Sequence, residues 1–440
     1  MKIIHLPFCF YPDAMGGTEV YVEALARELS KQGITNIIAA PSFNNQSYTY
    51  NQLSIRRFAI SSEIKYLKEI YGEGDRLGVI EFGKILDQEQ PDLIHFHAFT
   101  RGVSLRMVKL AKSRKIPVIF TYHTPTVSCQ RGTLLQWGTQ VCDGEIQLSK
   151  CTACTLQGLG VNRNIANIIT YLPSIVSKTL TQINLSGGIW TALQMKELVN
   201  CRSQAFRSLM KEVDHIIAVC DWVKNILIIN QVPSDKITVI RQGLCQEIRE
   251  DLRQSVGNEQ NKPLRLVFFG RIDPTKGIDI LIEALMAEPK LNVTLDIYGI
   301  SQSEFSSLYE NNIEDLVQKD DRITLKNPVS SNMVVETMKE YDLLAVPSQW
   351  LETGPMVILE AFAAKVPVIG SNLGGIAELI KHDVNGLLVE ANSIRSWTTV
   401  IGELCDNRNK LNTLKSGINP PPQMSLVADR MKLIYRTLIT

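Results

Sequence analysis

The chain lacks several things that would have decided its class at once. No run approaches the ~18 apolar residues that a membrane-crossing helix needs, so nothing in it reads as a span. Its charges nearly cancel: 46 Lys and Arg against 45 Asp and Glu, a formal net charge of +1. No global field therefore recruits nucleic acid or an acidic lipid surface. The start, Met1-Lys-Ile-Ile-His-Leu-Pro7, is broken too early for a signal peptide and reads as a first strand. A G-x-G-x-x-G dinucleotide loop is absent: the nearest attempt, Gly72-Glu-Gly74, has Leu77 at the third position and no strand before it. No Asp-x-Asp stands at a strand end to hold a metal-diphosphate, so no catalytic metal is expected. The expected location is cytoplasmic.

What is present is a two-part α/β chain. At 440 residues, with 45% hydrophobic and 21% charged content, it fits two or three globular domains. Short apolar runs alternate with amphipathic helical stretches. Strand candidates are Ile3-Leu6, Ile37-Ala40, Leu93-Phe96, Val118-Tyr122, Ile216-Val219, Leu266-Phe269, Leu295-Tyr298, Ile323-Leu325, Leu343-Val346 and Val368-Ile369. This alternation implies parallel sheets in doubly wound layers, with ligands beyond the carboxyl ends of the strands. The polar stretch Glu247–Pro263 reads as the linker. The expected domains are 1–245, 246–425 and a closing helix over 426–440 that returns to the first domain. The default site is then the cleft between the halves.

The chemistry concentrates in Glu352-Thr-Gly-Pro-Met-Val-Ile-Leu-Glu360, two carboxylates eight positions apart. Pro355 suits a first helical position. The amides of Gly354, Met356 and Val357 are expected to form an anion site at the helix start. Carboxylates in such apolar company normally have partners. Upstream, Gly270-Arg271 closes an apolar strand, and Asp273-Pro-Thr-Lys276-Gly277 leads into a helix. A planar guanidinium and a point-charge ammonium five residues apart suit a diphosphate. Gly374-Gly375 would let backbone approach a ligand closely. In the first half, Gly16-Gly17-Thr18-Glu19 opens a helix, with Thr18 as its cap on the plainer reading. His123 follows a strand directly and so lies at its carboxyl end. His95 and His97 are taken to face opposite sides of their strand, His97 toward the cleft and His95 into the core.

These motifs together resemble the retaining family-four glycosyltransferases, whose fold is GT-B: two Rossmann-like doubly wound domains facing across a cleft. The likeness extends from Gly16-Gly17 to Glu378. It implies a hexosyltransferase moving a sugar from a nucleotide-diphosphate donor, such as a UDP- or GDP-sugar, to a hydroxyl of a polysaccharide, glycolipid or small molecule. It implies Arg271 and Lys276 on the leaving diphosphate, Glu352 and His123 at the transferred sugar, and Glu360 on the ribose hydroxyls. Gly16, Gly17, Gly270, Gly299, Val329, Gly354, Pro355, Met356 and Val357 would complete the donor site. Two departures stand out: Thr124 where an acid usually follows the histidine, and Lys365 where a helix-ending glycine is usual. The rival readings are a GT-B sugar-nucleotide epimerase and a non-catalytic nucleotide-sugar-binding protein.

Two features fall outside that pattern. Cys129, Cys142, Cys151 and Cys154 form C-x12-C-x8-C-x2-C. Structural zinc, disulfides and free thiols all remain open for them, with metal favoured over disulfide in a cytosolic chain and an iron-sulfur cluster disfavoured because nothing else calls for redox chemistry. Ile165, Ile168, Ile169, Leu172 and Ile175 recur at helical spacing. A core helix is the commoner explanation of such a pattern; a surface for a lipid-linked acceptor or the inner membrane face is the alternative.

Overall fold

The computed structural model describes residues 1–13, 16–183, 187–246, 262–300 and 307–439. They form two compact units, residues 1–241 with 424–440, and residues 242–423. Most of the expected linker, 247–261, lies outside the described residues.

The first unit carries β1 (Lys2–Leu6), β2 (Thr35–Ser42), β3 (Gln46–Tyr50), β4 (Leu53–Ala59), β5 (Leu93–Phe96) and β6 (Val118–Tyr122). A small hairpin, β7 (Leu135–Gln136) with β8 (Gln140–Val141), follows, then β9 (His215–Ala218) and β10 (Ile237–Val239). Eight of these make one sheet in the order β10-β9-β6-β5-β1-β2-β4-β3. All pairs are parallel except β3 with β4. Every residue of β5 and β6 is buried, as befits strands covered by helices on both faces. The Met424–Ile439 helix belongs to this unit. It meets the Gly17–Lys31 helix, where Gln32 donates to Asp429 at 2.7 Å, and buries Tyr435 completely.

The second unit has β11 (Leu264–Arg271), β12 (Val293–Ile300), β13 (Ile323–Lys326), β14 (Leu343–Val346), β15 (Val368–Ser371) and β16 (Gly386–Val389). They form a wholly parallel sheet ordered β13-β12-β11-β14-β15-β16. Two core clusters flank it, one around Leu266, Leu295 and Trp397, the other around Val267, Leu344 and Ile376. Alternate residues of β11 feed opposite faces, as the pleat requires. Both units are thus doubly wound sheets, the second wholly parallel and the first parallel except at its β3 edge.

The helix after β14 runs Met356–Ala363, with Pro355 as its N-cap rather than its first residue. Lys365 follows it in the left-handed region at φ 59°. A lysine there costs of order 1 kcal/mol; its Nζ donates to the Ile418 carbonyl at 3.1 Å.

The Ile165–Ile175 stretch departs from a plain core helix. Ala166 is buried, but Ile165 and Ile168 are 54% and 66% exposed. The helix is short, Arg163–Thr170, and packs one stripe chiefly against the Leu148–Gly158 helix while the other faces out. The side chain of Ile175 lies outside the described residues.

Candidate functional site

In the second unit the site is built from strand ends. β11 and β12 run in register through Gly270 opposite Gly299. Beyond β11 the chain turns through Asp273, whose carboxylate accepts from the Thr275 amide at 2.9 Å. It passes Gly277 at φ 66°. A Cβ at Gly277 would stand 2.2 Å from the Pro347 carbonyl oxygen, so only glycine fits. That approach stitches the loop after β11 to the loop after β14, and Gln349 N donates to Thr275 O at 2.7 Å.

The stitch brings Lys276 to Glu352. Nζ donates to Oε1 at 2.7 Å, with the side chains 17% and 8% exposed. Ser348 Oγ donates to the same oxygen, and the ammonium lies 5.9 Å from the Trp350 ring centroid. Burial pushes the Glu352 carboxyl upward, but the Lys276 charge and these hydrogen bonds outweigh it and hold the pKa below the ordinary value. Glu352 is therefore ionised at neutral pH. Arg271 stands apart from the pair, 40% exposed and 3.2 Å from Asp273.

Gly374 and Gly375 support the turn that carries the acid. Gly375 N donates to Glu352 O at 2.6 Å. A Cβ on Gly375 would meet Gly354 N at 2.6 Å, and one on Gly374 would meet Glu352 O at 2.9 Å. The pair is the bed on which the Glu352–Gly354 turn rests.

Glu360 is half-buried on the Met356–Ala363 helix that follows the turn. Gln246 Nε2 donates to Oε1 at 3.2 Å and also to the Ser331 carbonyl, so the acid is tied to the loop beginning at half-buried Val329. Burial raises its pKa to about 7. The stability consequence has a definite sign. Folded Glu360 keeps its proton to about pH 7, whereas unfolded Glu360 loses it near the ordinary 4.5. The folded state binds more protons between those values, so stability falls as pH rises through that window. Glu360→Gln is expected to remove about 1–3 kcal/mol of that decline. Urea midpoints at pH 5 and 7.5 check it; an unchanged pH dependence would contradict it.

Sequence reasoning missed Ser348, Gln349 and Trp350. It also missed the stacked rings of Phe269 and Tyr298, with centroids 4.6 Å apart, and the Tyr298–Tyr341–Asp296 hydrogen-bond chain behind them. The run Pro347-Ser-Gln-Trp350 after an apolar strand was the available signal.

In the first unit, Gly16 caps the Gly17–Lys31 helix, not Thr18. The Gly16 amide is engaged by buried Glu19 Oε2 at 3.0 Å, a capping box. That amide, expected to face a ligand, faces Glu19.

His95 and His97 lie on one face of β5, because residues two apart on a strand share a face; their ring centroids are 3.9 Å apart. His95 is satisfied by Tyr435 OH at 2.7 Å and Thr121 Oγ1 at 2.6 Å. His97 belongs to a buried file. Asn36 Oδ1 meets His5 Nε2, His5 Nδ1 meets His97 Nε2, and His97 Nδ1 meets His123 Nε2, each at 3.1 Å. Burial lowers the pKa of His5 to about 4 and of His123 to about 3, and holds His97 well below its ordinary value. All three rings are neutral. Asn36 Nδ2 already donates to the Ala26 and Ile34 carbonyls, so its Oδ1 must accept from His5. The protons then follow in order, one Nε2–H donated along each link. His123 ends the file with its proton on Nε2 and its lone pair on Nδ1.

The four clustered cysteines are half-buried in the first unit, and no disulfide joins them.

Two family profiles match this chain. Residues 15–169 match Glycosyltransferase Family 4, and residues 249–418 match Glycosyl transferases group 1. Each half of the chain thus matches a glycosyltransferase family model. A D-inositol 3-phosphate glycosyltransferase of Xylanimonas cellulosilytica is 30% identical over 38% of this chain and 40% of its own length. Two further curated relatives are matched over 59% and 46% of their length. A glycosyltransferase of Methanocaldococcus jannaschii, itself uncharacterized, is 26% identical over 94% of this chain and 91% of its own. Among solved structures, Anabaena HepE in complex with UDP superposes with a TM-score of 0.65 at 16% identity, covering 99% of this chain and all of that one. Sucrose-phosphate synthase of Thermosynechococcus elongatus gives 0.66 at 17%, covering 99% and 98%. At such identities these structures speak for the fold alone.

Proposed function

We propose that this glycosyltransferase takes a sugar from a nucleotide-diphosphate donor and passes it to a hydroxyl acceptor with retention of anomeric configuration. The observation that carries the reading is the buried Lys276–Glu352 pair, held by strand-end loops, with Arg271 closing β11. A buried ion pair is an expensive way to stabilise a fold, and two cations at one strand end suit a diphosphate. Charge grows on that leaving group in the transition state, where preorganised cations act most strongly. Arg271 supplies a fork for phosphate oxygens and Lys276 a point charge. Glu352, kept ionised, accepts from hydroxyls of the transferred sugar, and Glu360 accepts from the ribose diol. His123 is assigned to the same sugar. The chemistry needs no metal, since the two cations stand where one would.

The UDP and UDP-glucose bound by HepE make UDP-sugars the first donors to try, GDP-sugars the next. For the acceptor, a glycolipid or a growing polysaccharide is the reading we favour, because the first unit exposes several large apolar side chains. Ile165, Ile168, Tyr171, Ile189 and Trp190 are all exposed there. Among the described residues no helix is long and apolar enough to cross a membrane, so contact with lipid on this reading is peripheral. The test is nucleotide release from a panel of nucleotide-sugars, with and without lipid extract or oligosaccharide. Release that requires an acceptor supports transfer. Interconversion of the nucleotide-sugar alone would make the protein an epimerase, and binding without turnover would make it a receptor.

A further inference from the structure

Four cysteines from three separate chain segments meet around one cavity of the first unit. Cys129 follows the turn after β6, Cys142 closes the β7–β8 hairpin, and Cys151 and Cys154 lie one turn apart on the Leu148–Gly158 helix. The cavity holds about 40 Å³ and is walled by all four, together with Leu134 and Ile146. That exceeds the ~10–15 Å³ a single water needs, so one ion fits. The hairpin has two residues per strand and joins neither main sheet. So short a pair is not stable by itself in water. Something other than backbone pairing must hold it; Cys142 follows it directly, and Cys129 lies on the segment that leads into it.

A backbone donor and two basic side chains stand at the cluster. The Trp137 amide donates to Cys154 Sγ at 3.3 Å, a contact that favours the ionised sulfur. Lys150, 16% exposed, and Arg131 stand beside the cluster, with Arg131 Nη1 on the Cys154 carbonyl at 3.1 Å. Four thiolates around a divalent ion leave a double negative charge; Arg131 offsets part of it, while Lys150 is shared with Asp143 at 2.6 Å.

The rival metal site is weaker on chemistry. Among the described residues, the only trio of ligand atoms all within 4.8 Å of one another is His5, His95 and His97. Their ring nitrogens are committed to Asn36, Tyr435, Thr121 and one another. An ion there would break that network and bury a double charge without an anion near it. The sulfurs, in turn, must draw in around their cavity to reach the ~2.3 Å of a zinc–thiolate bond.

We propose that Cys129, Cys142, Cys151 and Cys154 bind one zinc ion, which ties the hairpin and the Leu148–Gly158 helix to the segment that follows His123. The ion is structural: four sulfurs close its coordination, and no position stays open for substrate. Binding releases the thiol protons to solvent. The proposal is independent of the sugar-transfer reading.

The test is elemental analysis of the full chain, purified without chelator, beside Cys151→Ser, Cys154→Ser and a Cys201→Ser control. About one zinc per chain is expected, retained in the control and lost in both variants. Should the variants not fold, cobalt replacing zinc in the wild-type chain gives a readout of its own. Thiolate-to-cobalt charge-transfer absorption would support the proposal, and imidazole-only ligation would overturn it in favour of the histidines. Protein that carries no metal and has four thiols open to a thiol reagent would overturn it. So would a mass showing disulfides among the four.

Discussion

Lys276→Ala is expected to cost both stability and turnover, and by different routes. Removing the ammonium strands a carboxylate that is only 8% exposed. Breaking a buried pair from one side costs about 3–5 kcal/mol, because the remaining charge is left without compensation. Turnover should fall by about 10²–10³, the usual loss when one preorganised stabiliser of developing charge is deleted. Glu352→Gln should be the milder change for the fold: Lys276 is 17% exposed and faces the Trp350 ring, so its charge keeps some company. The double variant Lys276→Met with Glu352→Gln separates the two effects. It removes both charges together, and replacing a buried pair by neutral groups is often harmless or stabilising. It should recover most of the melting temperature lost in Lys276→Ala and none of the turnover. Recovery of both would reduce the pair to a structural one.

Gly375→Ala is the second large effect. The added Cβ would lie 2.6 Å from Gly354 N and 2.7 Å from Glu352 O. Both are backbone atoms of the turn carrying the acid, so neither can rotate away. The turn must lift, and the 2.6 Å bond from Gly375 N to Glu352 O goes with it. Overpacking of this kind costs about 1–3 kcal/mol. The larger effect should be on catalysis, since a misplacement of about 1 Å is enough to lose 10²-fold. Gly402→Ala is the matched control: its Cβ would meet only Leu291 Cδ2, at 3.5 Å. Equal kcat/KM in the two variants would contradict the role given to Gly375.

The sheets were the most legible part of the sequence. Leu93–Phe96, Val118–Tyr122 and Leu343–Val346 are short apolar runs buried throughout, and they appear at the expected residues. The antiparallel edge was not legible. Gln46–Tyr50 reads Gln-Ser-Tyr-Thr-Tyr, largely exposed, and forms only because Leu53–Ala59 lies beside it. Gly386–Val389 was missed for a related reason: it opens on a glycine that no β-propensity favours. In the site, charge type was legible and partnership was not. Lys276 and Glu352 are 76 residues apart, and only the loop crossing permitted by Gly277 brings them together. The glycine pair at 374–375 showed as a close approach, but not what approaches. The histidine file could have been anticipated: a period of two puts His95 and His97 on one face, and β1 beside β5 brings His5 next to them.

A crystal of the full chain grown with the nucleotide diphosphate of its donor tests the central claim most directly. The account predicts the diphosphate oxygens within hydrogen-bond reach of Arg271 and Lys276, with the ribose diol on Glu360. A nucleotide held away from these three side chains, in a protein that still transfers sugar, would contradict it.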